Sequence, residues 1–394
     1  MLFEDPDLDA DERAGAAARA VSRAYGRQLA GLPGTHLAAT SRPASRLQQL
    51  RQPWHYWWQA HYLDALVDAA LRERRTGTPF RGAEQPTAAE LAPVLVRTIG
   101  LRNRMHYTNR FYDDMAWLAL AVGRLNALAG SRDRQRPYRK ILQSLNSALE
   151  SAHTPELGGG IYWNRDRTFK NTPATAPAAL HFARTGARDR AQELVDWLNA
   201  TLLDPQTGLY MDGVKVVRGR PQLEPRLFTY NQGPVLGALL ELGGSANLSR
   251  AAALIDAVRD HLSDDAGGAR VLQAHGTGDA GLFTGILARY LAQAAVSPAL
   301  AEPSRRTAAL LVDATAQAFW DGRGKRADWL LFSSRPLLPA AESYPGGSPV
   351  ELSTQLQAWM VLEAAARVRR AAGSVTPPSA DAGTQQPPEP GPPA

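Results

Sequence analysis

Asn109-Arg110-Phe111-Tyr112-Asp113-Asp114-Met115-Ala116-Trp117-Leu118-Ala119-Leu120 sets two adjacent carboxylates at the mouth of a strongly apolar run. Met115, Trp117, Leu118, Leu120, Val122, Leu125 and Leu128 follow them with alanines between. That density predicts a helix packed on more than one side rather than a surface helix with a single apolar stripe. Capping is one reading of Asp113 and Asp114, because an acid at the N-cap or in the first turn satisfies free N–H groups and complements the helix dipole. Two neighbouring acids cannot both be the cap, however, and Tyr112 and Trp117 place aromatic surface beside them. Paired acids between aromatic walls also suit glycoside hydrolysis, in which one carboxyl protonates the leaving oxygen while the other attacks or activates water.

Outward from this stretch the chain reads helix after helix. Asp9 and Glu12 are spaced as a capping box for a helix to about Ala30, which Pro33-Gly34 stops. A loop with Pro43 leads to an aromatic helix from Trp54 to about Arg74, and Thr87 to Glu90 is a second capping box, opening a helix to about Leu101. After the Asp113/Asp114 helix, another is predicted to start near Pro137, a good first-turn residue. Further helices are predicted over about 173–185, 188–203, 231–242, 247–262, 279–296, 303–320 and 349–371. The stretches Gly158 to Asn164 and Gly208 to Val214 read as short strands or Gly-punctuated loops, with no conventional β architecture elsewhere. From about Ala372 the chain turns rich in Pro, Gly, Ser and Gln, so a barrel over 1–371 followed by a disordered tail over 372–394 is expected.

About twelve helices on short loops can form a solenoid, a set of bundles or a toroid of helical hairpins. No fixed-period signature marks a solenoid, and Gly-rich, aromatic loops recurring before helices favour a closed ring with a cleft at one end.

Composition narrows the classes of function. The 394 residues are 44% hydrophobic and 21% charged, enough to bury a large core, and the net charge is +6. Lys occurs only at 140, 170, 215 and 325, and no dense basic run tracks phosphates, so nucleic acid is not an expected partner. There is no cysteine, which excludes disulfides, thiolate metal sites and a Cys nucleophile. No HxxxH-type metal pair occurs among the eight His, and neither metal nor cofactor is called for. The acidic start Met1-Leu2-Phe3-Glu4-Asp5-Pro6-Asp7 lacks a secretory pattern and no stretch spans a bilayer, so a cytoplasmic setting is expected by default, and separately a monomer.

Three further motifs carry chemistry. Gly158-Gly159-Gly160-Ile161-Tyr162-Trp163 with Lys170-Asn171 sets aromatics and an amide beside backbone that can approach a ligand, though a Gly-rich turn over buried aromatics reads the same way. Thr229-Tyr230-Asn231-Gln232-Gly233 enters a helix, where Thr229 or Asn231 serves either as cap or as ligand group. The Trp54 to Tyr62 cluster reads first as core.

Together these stretches resemble glycoside hydrolase family 76, the endo-α-1,6-mannanases. The resemblance is carried by Tyr56-Trp57-Trp58-Gln59-Ala60, Phe111 to Asp114 with Ala116-Trp117, the Gly158 motif with Lys170-Asn171, Thr229 to Gly233, and Gly285 to Leu291. Leu352 to Trp359 looks like the final helix of bacterial members. The resemblance implies an all-α (α/α)6 toroidal barrel of six helical hairpins acting on α-mannan or a mannose-containing oligosaccharide. It implies a retaining double displacement, with Asp113 as nucleophile and Asp114 as acid/base. That chemistry asks for carboxyls roughly 5–5.5 Å apart, and neighbours reach this only at a helix entrance where the backbone can aim both inward. Ionised Asp113 is expected to raise Asp114. Asn171, Thr229 and Tyr230 look like subsite residues, joined by Trp163, Tyr112 and Trp58. An α-mannosyl transglycosylase sharing the same intermediate, and a non-catalytic glycan-binding barrel, are the alternatives. Without a secretory pattern, trimming of imported or endogenous α-mannosyl chains is the expected setting.

Overall fold

The computed structural model describes residues 8–43, 53–80 and 86–373. The predicted start of the chain, most of the loop after Pro43, and the tail from 374 lie outside the described residues. Both capping boxes form: Asp9 and Glu12 exchange side chain-to-backbone bonds at 2.8 Å at the head of α1 (Ala10–Tyr25), and Thr87 and Glu90 do the same for α3 (Ala88–Arg102). These bonds satisfy N–H groups that would otherwise face water unpaired.

Among the described residues, twelve long helices alternate between two layers. The inner ones are α2 (Tyr56–Thr76), α4 (Tyr112–Ala129), α6 (Thr172–Arg184), α8 (Thr229–Leu242), α10 (Phe283–Ala295) and α12 (Leu352–Gly373). Each packs on the next, and α12 closes the ring on α2. Around them lie α1, α3, α5 (Arg132–Ala152), α7 (Arg188–Thr201), α9 (Gly244–His261) and α11 (Glu302–Asp321). This is the (α/α)6 barrel that the helix count and the resemblance imply. Burial explains the layering. In α6 every residue from Thr172 to Ala183 is buried, whereas α5 buries only Tyr138, Ile141, Leu145, Leu149 and Ala152, one stripe at helical spacing.

A recurring device ties connecting segments to the ring. The fourth residue of α2, α8 and α12 is a glutamine: Gln59, Gln232 and Gln355. Each side-chain amide pairs with both the N–H and the C=O of one residue outside the helices, at Ala38, Tyr210 and Phe332, over 2.7–3.0 Å. In α6 Thr175 holds the fourth position and accepts from the Ile161 N–H at 3.0 Å. Buried backbone groups thereby find partners in helix side chains.

Lower in the ring, buried Asp64 and half-buried Asp68 of α2 face Arg124 of α4 and Arg289 of α10, also half-buried, in a four-membered ion network. The guanidinium groups hold Asp68 far below the usual carboxylate range despite burial.

Three expectations need correction. The helix expected from Pro137 starts five residues earlier at Arg132, and Pro137 is accommodated inside it. The first helix ends at Tyr25, not near Ala30, and the chain then runs extended through Gly26–Arg27. β structure is also more extensive than the two Gly-rich stretches. Phe169–Asn171, Met211–Val217 and Arg220–Leu227 form a three-stranded antiparallel sheet, and hairpins join Ser263–Ala266 to Ala269–Leu272 and Gly324–Arg326 to Trp329–Leu331. These strands are short, and their buried residues fall side by side, as at Val271-Leu272 and Leu330-Leu331, so no two-residue alternation marks them.

Candidate active site

The starts of five inner helices converge on one cleft of about 690 Å³, lined by residues from Pro53–Trp57, Asn109–Asp114, Asn171, Tyr230 and Phe283. Inner helices pointing the same way bring their N-terminal partial positive charges to a single end of the barrel.

Asp113 and Asp114 both line this cleft, in the first turn of α4. Neither is the cap, since that position belongs to Phe111, which offers no side-chain bond. Asp113 Oδ1 accepts the Asp114 N–H at 2.9 Å and its Oδ2 accepts the Trp163 indole N–H at 3.0 Å. Asp114 Oδ2 accepts the Asn109 amide at 2.6 Å, while Asn109 Oδ1 takes the Phe111 N–H at 2.9 Å. Asn109 thus fixes the turn and the acid together.

Both carboxyls are pushed up. Burial, then the Asp114 charge, raises Asp113 well above the carboxylate range. Burial raises Asp114 to about 7, helped by Asp279 and opposed by the Asn109 hydrogen bond. The two charges repel each other, as expected, and Asp279 adds a third negative charge at Asp114. The upward push is stronger on Asp113, while its two N–H donors favour the ionised form. Such neighbours titrate as a pair, holding one proton between them near neutrality.

Trp163 is delivered by the Gly-rich loop. Its backbone pairs with Tyr112 and Phe169 at 2.8 Å, and its ring lies 5.2 Å from Phe111 and 6.4 Å from Phe169. The glycines serve packing more than ligand approach. Gly160 has φ +74°, and a Cβ there would lie 2.6 Å from the Trp197 ring of α7. Lys170 is buried beneath the loop, and its Nζ donates to the carbonyls of Thr154, Glu156 and Gly159 at 2.6–2.7 Å.

The expected subsite residues divide. Tyr230 lines the cleft, stacked on Phe283 at 3.8 Å with an 8° tilt. Asn171 lines it too, although its Oδ1 caps α6 through the Ala174 N–H at 3.2 Å. Thr229 lies just behind, fully buried, with its N–H on His275 Nε2 at 3.2 Å. Its hydroxyl has no partner among the described residues. Trp58 is buried and meets the site through its indole, bonded to Asp279 at 2.9 Å. Tyr112 does not line the cleft; its ring packs into the core, because the first residue of α4 turns away from Asp113.

Sequence reading missed Asn109, Asp212, Arg226 and Asp279, all of which line the cleft. Asp212 is buried, bonded by Asn231 Nδ2 at 3.3 Å, and raised by burial. Only Asn109, inside the quoted stretch, carried a local signal, as an Asx-type turn before a helix. The others lie far along the chain, Asp212 and Arg226 on the three-stranded sheet and Asp279 on the turn before α10. Among the described residues no cluster of three or more His, Asp or Glu is arranged to hold a metal, and no helix is long and apolar enough to cross a membrane.

The sequence profile of Glycosyl hydrolase family 76 matches residues 33–370. Among solved structures, the GH76A α-1,6-mannanase from Salegentibacter sp. HEL1_6 is similar at 28% identity and TM-score 0.77, over 91% of this chain and 100% of that one. An inactive variant of that enzyme, with two consecutive aspartates replaced by asparagine, is similar to the same degree and holds α-1,6-mannotriose. The Lin0763 protein from Listeria innocua is similar at 25% identity and TM-score 0.76, over 92% of this chain and 98% of that one. The meiotically up-regulated gene 191 protein of Schizosaccharomyces pombe is 24% identical over 229 residues. That match covers 54% of this chain and 52% of that protein, so the chain spans about half the length of this relative.

Proposed function

Because this chain belongs to glycosyl hydrolase family 76, and is a glycoside hydrolase, we propose that it cleaves α-1,6-linked mannan or manno-oligosaccharides with retention. The observation that carries this reading is the adjacent, desolvated Asp113 and Asp114 at the entrance of α4, open to one cleft. The α-1,6-mannanase at 28% identity supports the linkage, and its inactive double-aspartate variant with bound mannotriose supports the role of the pair.

Asp113 acts as nucleophile. Its carboxylate attacks the anomeric carbon while Asp114 gives its proton to the glycosidic oxygen, so the carbon–oxygen bond breaks and a mannosyl ester remains on Asp113. Asp114, now ionised, takes a proton from water as that water attacks the same carbon and releases Asp113. The two N–H donors on Asp113 favour the anion it must be at the start and again at the end. Burial keeps a proton at Asp114 near neutrality, as a general acid requires. Tyr230 stacked on Phe283, together with Trp57 and Trp163, supplies aromatic walls for sugar faces. Asn171 and Asp212 supply polar groups for hydroxyls. On this reading the barrel, taken as 1–371, is the single catalytic domain.

Incubation with linear α-1,6-mannan, followed by mass spectrometry of the products, tests the proposal. The parent is expected to release short mannosides and the Asp113→Asn and Asp114→Asn variants none. A parent that leaves the polymer intact would remove the substrate assignment.

A further inference from the structure

Asp279 lies on the turn before α10 and lines the cleft together with the acid pair. Its Oδ1 accepts two indole N–H groups, from Trp57 at 3.0 Å and Trp58 at 2.9 Å, and His55 Nδ1 stands 3.7 Å away. All three come from the head of α2. The His55 ring lies flat against Trp58 at 4.1 Å and 13°, and His55 itself takes φ +44°, an uncommon conformation for a side chain-bearing residue. Three aromatic groups on one oxygen fix how the carboxylate points. Its side chain is nevertheless 60% exposed to the cleft, which leaves Oδ2 open to an occupant.

Among the described residues no cation pairs with this carboxylate. Burial lowers His55 below its ordinary range, so near neutral pH it brings no positive charge. The cleft's two arginines are engaged elsewhere, Arg110 with Asp166 and Arg226 with Glu224. Two neutral indoles that hold a carboxylate without quenching it place its charge where a ligand meets it. The buried Trp58 indole takes its acceptor from Asp279, whereas water would satisfy the exposed Trp57 indole equally well, so packing asks for one acceptor oxygen there and not for a charge.

The titratable groups around Asp114 are Asp113 on its own helix, Tyr56 and His55 from α2, Tyr230 from α8, Asp212 from the sheet, and Asp279. Asp279 is the carboxylate beyond the pair whose charge disfavours ionisation of Asp114.

We propose that Asp279 is the third carboxylate of the reaction centre, held on one oxygen by Trp57 and Trp58, taking a sugar hydroxyl on the other and setting its charge against the general acid. The proposal rests on Asp114 being that acid. Asp279→Asn keeps an acceptor oxygen for both indoles and removes the charge. Carboxyl ¹³C NMR titration, with the Asp114 signal identified by its loss in Asp114→Asn, needs no substrate. The Asp114 midpoint is expected to fall by about half to one pH unit in Asp279→Asn. An unchanged midpoint overturns the proposal. With α-1,6-mannan as probe, KM should rise several-fold and the basic limb of kcat/KM should move down with the midpoint; an unchanged KM likewise overturns it. If Asp279→Asn melts below the assay temperature, Asp279→Glu replaces it. That variant keeps the charge, so the midpoint should stay and KM rise, and a fallen midpoint overturns the proposal. A parent inactive on mannan would count against the mannan reading and leave the titration result standing.

Discussion

The Trp163 indole donates to Asp113 Oδ2 at 3.0 Å, linking residues 50 positions apart in the chain. A hydrogen bond to a charged group contributes about 1.5–3 kcal/mol, and this one favours the ionised carboxylate. Trp163→Phe keeps the ring and deletes the donor. Because the bond lowers Asp113, its loss raises Asp113 further, and the acidic limb of kcat/KM should move to higher pH. A fall in kcat of about tenfold is expected, read from pH-dependent initial rates.

Asn109→Ala should act in the opposite sense to Asp279→Asn. The Asn109 amide lowers Asp114, so removing it raises Asp114 and shifts the basic limb upward. The same substitution leaves the Phe111 N–H without its side-chain acceptor. A fall in melting temperature should therefore accompany the altered pH profile.

Stability should also report the strained ionisation of the pair. Asp114 titrates near 7 in the folded chain and lower when unfolded, so the folded state binds the extra proton between those values. That contribution is fully present below the ordinary carboxylate range and is lost as pH rises through about 7. Asp114→Asn cannot ionise, so at pH 8 it should melt ~2–5 °C above the parent. At pH 4 the two should nearly coincide. Calorimetry at both pH values checks the sign.

Lys170 acts on the site from below. Its ammonium gathers three loop carbonyls, so Lys170→Met strands them and should cost roughly 3 kcal/mol. The planar fork of Lys170→Arg does not converge on a point as an ammonium does and should not restore the loop. Denaturant midpoints measure the loss, and kcat should fall in both because the loop carries Trp163.

Arg289→Met separates stability from chemistry. It leaves Asp64 and Asp68 with Arg124 alone, and breaking a network around the buried Asp64 costs about 3 kcal/mol, the lower end for a buried pair because its other members are half-buried. The folded fraction at low temperature should keep the parent's pH profile, since the network does not line the cleft.

Much of this was legible in the chain because it is local. Capping boxes at Asp9 and Thr87, dense apolar runs, and adjacent acids before Met115 are each written within a few residues. The inward aim of Asp113 and Asp114 follows from their first-turn position. The glutamines at the fourth position of α2, α8 and α12 were in plain view. Their common role appears only when each is paired with its residue outside the helices. Asp279 and Asp212 were invisible because what makes them functional is supplied by distant partners, Trp57 and Trp58 for one and Asn231 for the other. Tyr112 misled for the converse reason: nearness in sequence to Asp113 does not bring its ring to the same side of α4. The hairpins escaped because their strands are short and bury neighbouring rather than alternate residues.

The most direct test of the central claim is proton NMR of linear α-1,6-mannan during the first minutes of digestion. Double displacement through Asp113 predicts that new reducing-end mannose appears first as the α-anomer and only later equilibrates with β. New reducing ends appearing first as β, or none at all, would contradict the account.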